Sequence, residues 1–250
     1  MAGSILRAMS QETLKNIALL IDADNIDPKG IDPVLTVMAE LGQVNIRRAY
    51  GNFAKQALVN WDTITNKFGI RPHQQFDVSK GKNATDMAMT IDAIDLLNQG
   101  KVDGFGIMTS DSDFTPLVTR LRQDGIIVYG FGGTKTPESF RSVCTRFIEI
   151  EKLIAGNAAD KAGTAAERPA KGAGTVDAEL VELLGMAWRA AKRDDEGFAA
   201  IGEIGNIAGN RSSFDVRNYG YKRLSDMFKA LDNFKLERRD NGQIFVKRLR

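Results

Sequence analysis

Four aspartates, Asp22, Asp86, Asp111 and Asp113, are the grouping of side chains in this chain that points most directly to a reaction. Carboxylates brought together repel one another and resist desolvation, and a hard divalent cation with its preference for oxygen ligands relieves both costs. Held in this way, a cation polarises phosphoryl oxygens, acidifies a bound water and stabilises a leaving oxygen, which is the chemistry of phosphodiester hydrolysis. No histidine is needed. The lone histidine, His73, stands beside a strand-like run where a structural imidazole is the expected role, so a serine triad is disfavoured. The single cysteine, Cys144, has no disulfide partner and no second thiolate for a metal, and a core thiol is expected.

Those aspartates can meet only if separate segments deliver them to one place. From Ile17 to Ile150 short apolar runs alternate with segments of helical period, the pattern of a parallel sheet flanked by helices. Strands are expected at Ile17–Asp22, Val44–Tyr50, Ile70–Phe76, Gly104–Thr109 and Ile126–Phe131, with a further one at Phe147–Ile150. Helices are expected at Val34–Leu41, Lys55–Phe68, Ala84–Asn98, Phe114–Gln123 and Glu138–Cys144, with Gly42, Gly69, Gly100 and Gly125 as left-handed caps. In a strand order 3-2-1-4-5 the crossover direction reverses between the first and fourth strands, and ligands bind in the crevice beyond their carboxyl ends. Asp22 ends the first strand, and Asp111 and Asp113 follow the fourth. Asp86 opens the helix after the third strand, in a row with Thr90, Ala93 and Leu97 that should face inward. Asp92 and Asp95 fall on the other side, as a solvated face, with Asp92 a candidate to support the site.

A formal charge of +2 and a pI of about 8.6 do not by themselves mark a nucleic-acid binder, so that reading must come from local features. Lys80 and Lys82 flank Gly81 at an expected helix N-terminus and are candidates to grip a phosphate. Arg47 and Arg48 are adjacent in a strand, so at most one faces a given groove. No apolar stretch approaches the ~20 residues of a membrane span and the first residues lack a signal peptide's apolar region, so a cytoplasmic protein without membrane contact is expected.

Residues 154–173 are rich in alanine and glycine and read as a flexible linker between domains that move independently. Beyond it come helical patterns at Val176–Arg193, Ile201–Gly209 and Tyr221–Leu231. A hairpin, Phe234–Arg239 and Gln243–Val246, follows with a two-residue turn at Asn241-Gly242. Three helices and a two-stranded wing make a small winged-helix, α+β, domain. Its charges are nearly balanced, but Arg238, Arg239, Lys247, Arg248 and Arg250 gather at the hairpin, and Arg217, Lys222 and Arg223 flank the third helix. Together with Tyr219 and Tyr221 they are candidates to contact phosphates and stack on bases. Leu224, Asp226, Met227 and Phe228 make the third helix too apolar and acidic for a DNA groove, so RNA is favoured over DNA.

The motifs IDADNI, RRAYGNF, KNATDMAMTIDAIDLL and TSDSDFTPLVTRLRQDGIIVYGFG, in this order, resemble the NYN domain, a PIN-like group that includes the LabA and DUF88 proteins, over residues 14–153. The resemblance implies a PIN-like (Rossmannoid) α/β fold and ribonuclease activity. It also implies that Asp22, Asp86, Asp111 and Asp113 hold Mg2+ or Mn2+ and that Asn25 lies against the metal or the scissile phosphate. SFDVRNYGYKRLSDMFKAL and FKLERRDNGQIFVKRLR resemble the OST-HTH domain, also called LOTUS, over residues 174–249, which implies RNA binding. Two other readings stay open. One is an RNA-binding regulatory protein without turnover. The other is a haloacid-dehalogenase-like phosphatase, which Asp22-Ala-Asp24-Asn-Ile loosely resembles but which has no place for Asp86.

Overall fold

The computed structural model describes residues 14–76, 83–161, 178–239 and 242–249. Its larger unit is a six-stranded parallel sheet in the order β3-β2-β1-β4-β5-β6. The strands are β1 (Leu14–Asp22), β2 (Gly42–Gly51), β3 (Arg71–Gln74), β4 (Gly104–Met108), β5 (Ile127–Gly132) and β6 (Arg146–Glu149). This is the expected order with the sixth strand added at the far edge. Helices α1 (Ile31–Leu41), α2 (Trp61–Phe68), α3 (Ala84–Asn98), α4 (Thr115–Gln123), α5 (Glu138–Val143) and α6 (Ile150–Lys161) connect or follow the strands.

β1 is central, and its run of apolar residues is buried on both faces. Ile17, Leu19 and Ile21 join one core with Val34, Met38 and Trp61, while Ala18 and Leu20 join a second core with Met89, Phe105 and Phe114. Burying each of the larger apolar side chains, such as Ile17, Leu19, Leu20 and Ile21, stabilises the fold by roughly 1.5–3 kcal/mol, which fixes the strand in register and with it the position of Asp22.

Three local expectations change. Gly42 is not a left-handed cap: its φ of 165° is extended, and it opens β2 where a Cβ would lie 2.4 Å from the Leu14 carbonyl oxygen. Gly69, Gly100 and Gly125 do take positive φ, as expected of helix ends. The segment expected as one helix over Lys55–Phe68 is a short 3-10 turn, Gln56–Leu58, followed by α2. The inward stripe of α3 is Thr85, Met89, Ala93 and Leu96, so Asp86 lies on its flank.

The smaller unit holds α7 (Ala178–Ala190), β7 (Ala199–Ala200), α8 (Ile201–Arg211), α9 (Leu224–Lys229), β8 (Phe234–Arg238) and β9 (Ile244–Arg248). Its wing has three strands, β7-β9-β8, instead of two. Arg239 pairs with Gln243 across the hairpin, and Gly242, at φ 78°, donates its N–H to the Arg239 carbonyl, so three residues separate the paired positions instead of two. Tyr221 and Phe214 pack against the core formed by Leu184, Ile204, Phe228 and Val246.

The expected linker is also shorter than predicted, because α6 runs to Lys161; the rest of it, 162–173, lies outside the described residues. The two units pack together, against the expectation of independent movement. A 3-10 turn over Val216–Tyr219 sits on the outer edge of β6. Asn218 Nδ2 donates to the Phe147 carbonyl at 2.5 Å, Asn218 Oδ1 accepts the Glu149 N–H at 2.9 Å, and the Phe147 N–H reaches the Ser213 carbonyl at 3.2 Å.

Candidate carboxylate centre

The tips of β1 and β4 place the first carboxylate. Ile21 pairs with Met108, which sets Asp22 beside Thr109 one residue on. Asp22 is fully buried. Its Oδ2 accepts from Thr109 Oγ1 at 2.7 Å and from Asn25 Nδ2 at 2.9 Å, while its Oδ1 is buried with no hydrogen-bond partner. Burial raises the Asp22 pKa, the Asn25 and Thr109 hydrogen bonds work against that, and the charges of Asp24 and Asp111 add to the rise.

Thr109 continues the site into the next loop. Its Oγ1 accepts the Asp111 N–H at 3.0 Å, and Asp111 Oδ1 in turn accepts the Asp113 N–H at 2.9 Å, capping the 3-10 turn before α4. Asp111 thus has the capping role available to any aspartate here and also contributes charge to the cluster. Gly132 makes room beside this loop, since a Cβ there would lie 2.5 Å from the Thr109 carbonyl oxygen.

Asp86 comes from the first turn of α3. Its carboxyl is pushed up to about 6, first by burial and then by the charges of Asp22, Asp111, Asp113 and Asp24. The four predicted aspartates, with Asp24 as a fifth, therefore share one electrostatic neighbourhood. Among the described residues, however, no three acidic, histidine or cysteine side chains stand arranged as a ready ligand set for a metal ion.

Several supporting groups escaped the sequence reading. Thr85 Oγ1 donates to Asp24 Oδ2 at 2.9 Å, and Lys55 Nζ lies 3.2 Å from Asp24 Oδ1, tying α3 and the loop after β2 to the loop after β1. Thr109 stands at a strand end directly before the acidic loop, a signal that marks it in retrospect. Lys55 gave no such sign.

Asp92 is not on a solvated face. Arg48 forms an ion pair with it, and the Tyr50 hydroxyl donates to its other oxygen. His73 stacks on Tyr50 with ring centroids 4.9 Å apart, and burial lowers its pKa, as suits a structural imidazole. Asp95 is exposed, as expected. Arg47 turns to the carbonyls of Val44 and Phe68, so the two arginines do face different partners. Cys144 is buried in the core, its thiol pushed up to about 12 by burial.

The expected nucleic-acid contacts divide. Lys80 and Lys82 lie outside the described residues. Arg217 is engaged by Asp215 at 3.0 Å and by Glu40 of the larger unit at 2.5 Å, because the turn that carries it packs between the units. Tyr221 is partly buried in the small core, whereas Tyr219 is 42% exposed and lies 5.8 Å from the Phe214 ring. Lys222 and Arg238 are exposed. Arg239 is paired with Asp194 and Glu237 and lies over the Phe245 ring at 4.0 Å, and Lys247 lies 5.7 Å from the Phe198 ring. The wing thus gathers cations over aromatic rings, but one of those cations is already committed to carboxylates.

Comparison with known proteins follows the same division. The family model for the NYN domain matches residues 16–151, and that for the OST-HTH/LOTUS domain matches residues 175–246. An uncharacterized protein of Methanocaldococcus jannaschii is 30% identical over 131 residues, covering 50% of this chain and 51% of that protein. The chain therefore spans about half the length of the curated relative it matches. A crystal structure of a protein of unknown function from Vibrio parahaemolyticus aligns with a TM-score of 0.45 at 20% identity, covering 57% of this chain and 96% of that one. No helix among the described residues is long and apolar enough to cross a membrane.

Proposed function

Because the chain belongs to the NYN domain family and carries an OST-HTH/LOTUS domain after it, we propose that it is a metal-dependent ribonuclease that recruits RNA through the C-terminal domain. The observation that carries this reading is Asp22. One of its oxygens is fixed by two donors while the other is buried and unpartnered, inside a group of carboxylates where burial first and the neighbouring charges second raise Asp86 to about 6. An orphaned buried carboxylate oxygen among like charges is a donor set suited to a hard cation.

Asp22, Asp86, Asp111 and Asp113 would hold Mg2+ or Mn2+. When bound, the cation supplies charge compensation at the phosphoryl oxygens and an acidified water. The chain's own groups do the positioning. Thr109 and Asn25 keep the Asp22 carboxylate in one orientation, and Thr109 ties the Asp111 loop to it. Asn25, exposed at the mouth, has a second amide N–H to offer a phosphate oxygen. Asp86, whose pKa burial and the neighbouring carboxylates raise, would have its ionised form favoured by a bound cation.

A second reading, an RNA-binding protein without turnover, draws on the lack of a ready ligand set among the described residues. The phosphatase reading still gives Asp86 no role. One experiment decides. Labelled RNA is incubated with the protein in Mn2+ or Mg2+, with EDTA in a parallel tube and with Asp22→Asn and Asp111→Asn alongside. Metal-dependent cutting lost in both variants is the expected result. Binding with no cutting in either metal sinks the nuclease and leaves the second reading.

A further inference from the structure

The wing sheet β7-β9-β8 has an inner and an outer face. Phe234, Leu236 and Val246 turn inward to the small core. By strand alternation Lys235, Glu237, Arg239, Phe245 and Lys247 share the outer face. There Lys235 stands directly opposite Lys247. Like charges so placed destabilise a sheet, and neither ammonium has a carboxylate or a hydrogen-bond partner among the described residues. Both instead face the Phe198 ring, buried beneath them, with Lys235 Nζ 6.0 Å and Lys247 Nζ 5.7 Å from its centre. A turn over 194–197, closed by the Gly197 N–H on the Asp194 carbonyl at 3.0 Å with Gly197 at φ 83°, sets the ring there. At the limit of cation–π range the ring offsets only part of the repulsion.

The acids of this face do not compensate the lysines. Glu237 is turned to Arg239 at 3.4 Å, and Asp194 is paired with the same guanidinium. The hairpin end of the face is thus neutralised internally, while the lysine end keeps two uncompensated charges over one ring. Two opposed ammoniums without an anion of their own match a ligand that brings one. We propose that Lys235 and Lys247 form a phosphate clamp on the outer face of the wing, through which the C-terminal domain holds the backbone of single-stranded RNA. Arg239 argues for a nucleic acid over an acidic peptide. Its guanidinium lies 4.0 Å over the Phe245 ring and is a third exposed, a flat surface on which an unpaired base can stack. The clamp shifts the RNA contact away from the third helix and from Arg217, which Glu40 and Asp215 already occupy. It rests on the reading that this domain recruits RNA.

The test reads binding apart from cutting. Fluorescein-labelled single-stranded RNA is titrated with the full-length protein in EDTA, and anisotropy is followed over a range of salt. Lys235→Gln and Lys247→Gln should each weaken binding roughly two- to fivefold, the scale of an exposed ion pair. Each should also flatten the slope of log K against log salt by about 0.7, the share of one phosphate contact on a single strand. Lys229→Gln makes the same charge change on the third helix, at a lysine paired with Asp226, and should leave affinity and slope near wild type. Neither wing variant should lower the melting temperature of the RNA-free protein, because each removes a repulsion. A slope unchanged in both wing variants, an equal loss in Lys229→Gln, or a fall in melting temperature that accounts for the lost binding overturns the clamp. RNA held as tightly by the wing variants as by wild type removes the clamp and leaves RNA recruitment. A wild-type protein that binds no RNA removes both. Lysine-dependent binding by a protein that cuts RNA in neither Mn2+ nor Mg2+ leaves the clamp standing and removes the nuclease.

Discussion

Thr109 donates its hydroxyl to Asp22 at 2.7 Å from the adjacent strand tip, and the same oxygen accepts the Asp111 N–H at 3.0 Å. One side chain thus holds two of the candidate ligands at a fixed separation. Thr109→Val, which keeps the shape and deletes the hydroxyl, should lower the urea midpoint by an amount equivalent to about 1–3 kcal/mol, because a buried carboxylate loses a donor. It should also cut metal-dependent cleavage well below wild type. Thr109→Ser should restore both.

Asp86 makes stability depend on pH. Its folded pKa, about 6, lies above the ordinary value of 3.8, so the folded chain binds the proton more tightly than the unfolded one. In EDTA, the stabilising effect of protonation is complete below pH about 3.8 and is lost as pH rises through about 6. Asp86→Asn should therefore raise the thermal midpoint at pH 7 by a few degrees, roughly 1 kcal/mol after solvent screening, and flatten that pH dependence. A midpoint unchanged by the substitution at pH 7 contradicts the burial and the crowding of charge that raise this carboxyl.

The cleavage products report the mechanism. Water-driven hydrolysis leaves a 5′ phosphate and a free 3′ hydroxyl, and both should be found by end-group analysis of fragments made in Mn2+. A 2′,3′-cyclic phosphate would mean that the RNA's own hydroxyl attacks.

Asp92 should separate stability from chemistry. It partners both Arg48 and the Tyr50 hydroxyl, and burial with the Asp92 hydrogen bond raises the Tyr50 pKa. Asp92→Ala leaves a part-buried guanidinium and a phenol unpaired, a loss of roughly 2–3 kcal/mol. Below the new melting range, cleavage per folded molecule should stay near wild type.

Local pattern carried the strands, the helices and their order, because the apolar run of β1 and the boundaries of α3, from Ala84 to Asn98, depend on residues close in sequence. It failed where partners are remote. Asp92 lies off the apolar stripe of α3 and reads as solvated, yet Arg48 and Tyr50 reach it from β2. Thr85 and Lys55 meet at Asp24 from segments on either side of the sheet's end, a convergence that no periodicity encodes. Arg217 reads as a nucleic-acid contact because its type permits it, and only the packed structure shows Glu40 claiming it while its neighbour Asn218 binds β6.

The two hydrogen bonds from Asn218 to Phe147 and Glu149 are those that a neighbouring strand would otherwise make. They act as a selvedge on the sheet. A chain shortened to its first 155 residues would carry β6 with a row of unsatisfied amides and carbonyls, the template on which sheets of separate molecules join. Its light scattering should reveal association that the whole protein does not show. Oligomers seen with the shortened chain would describe the cut, not the native assembly.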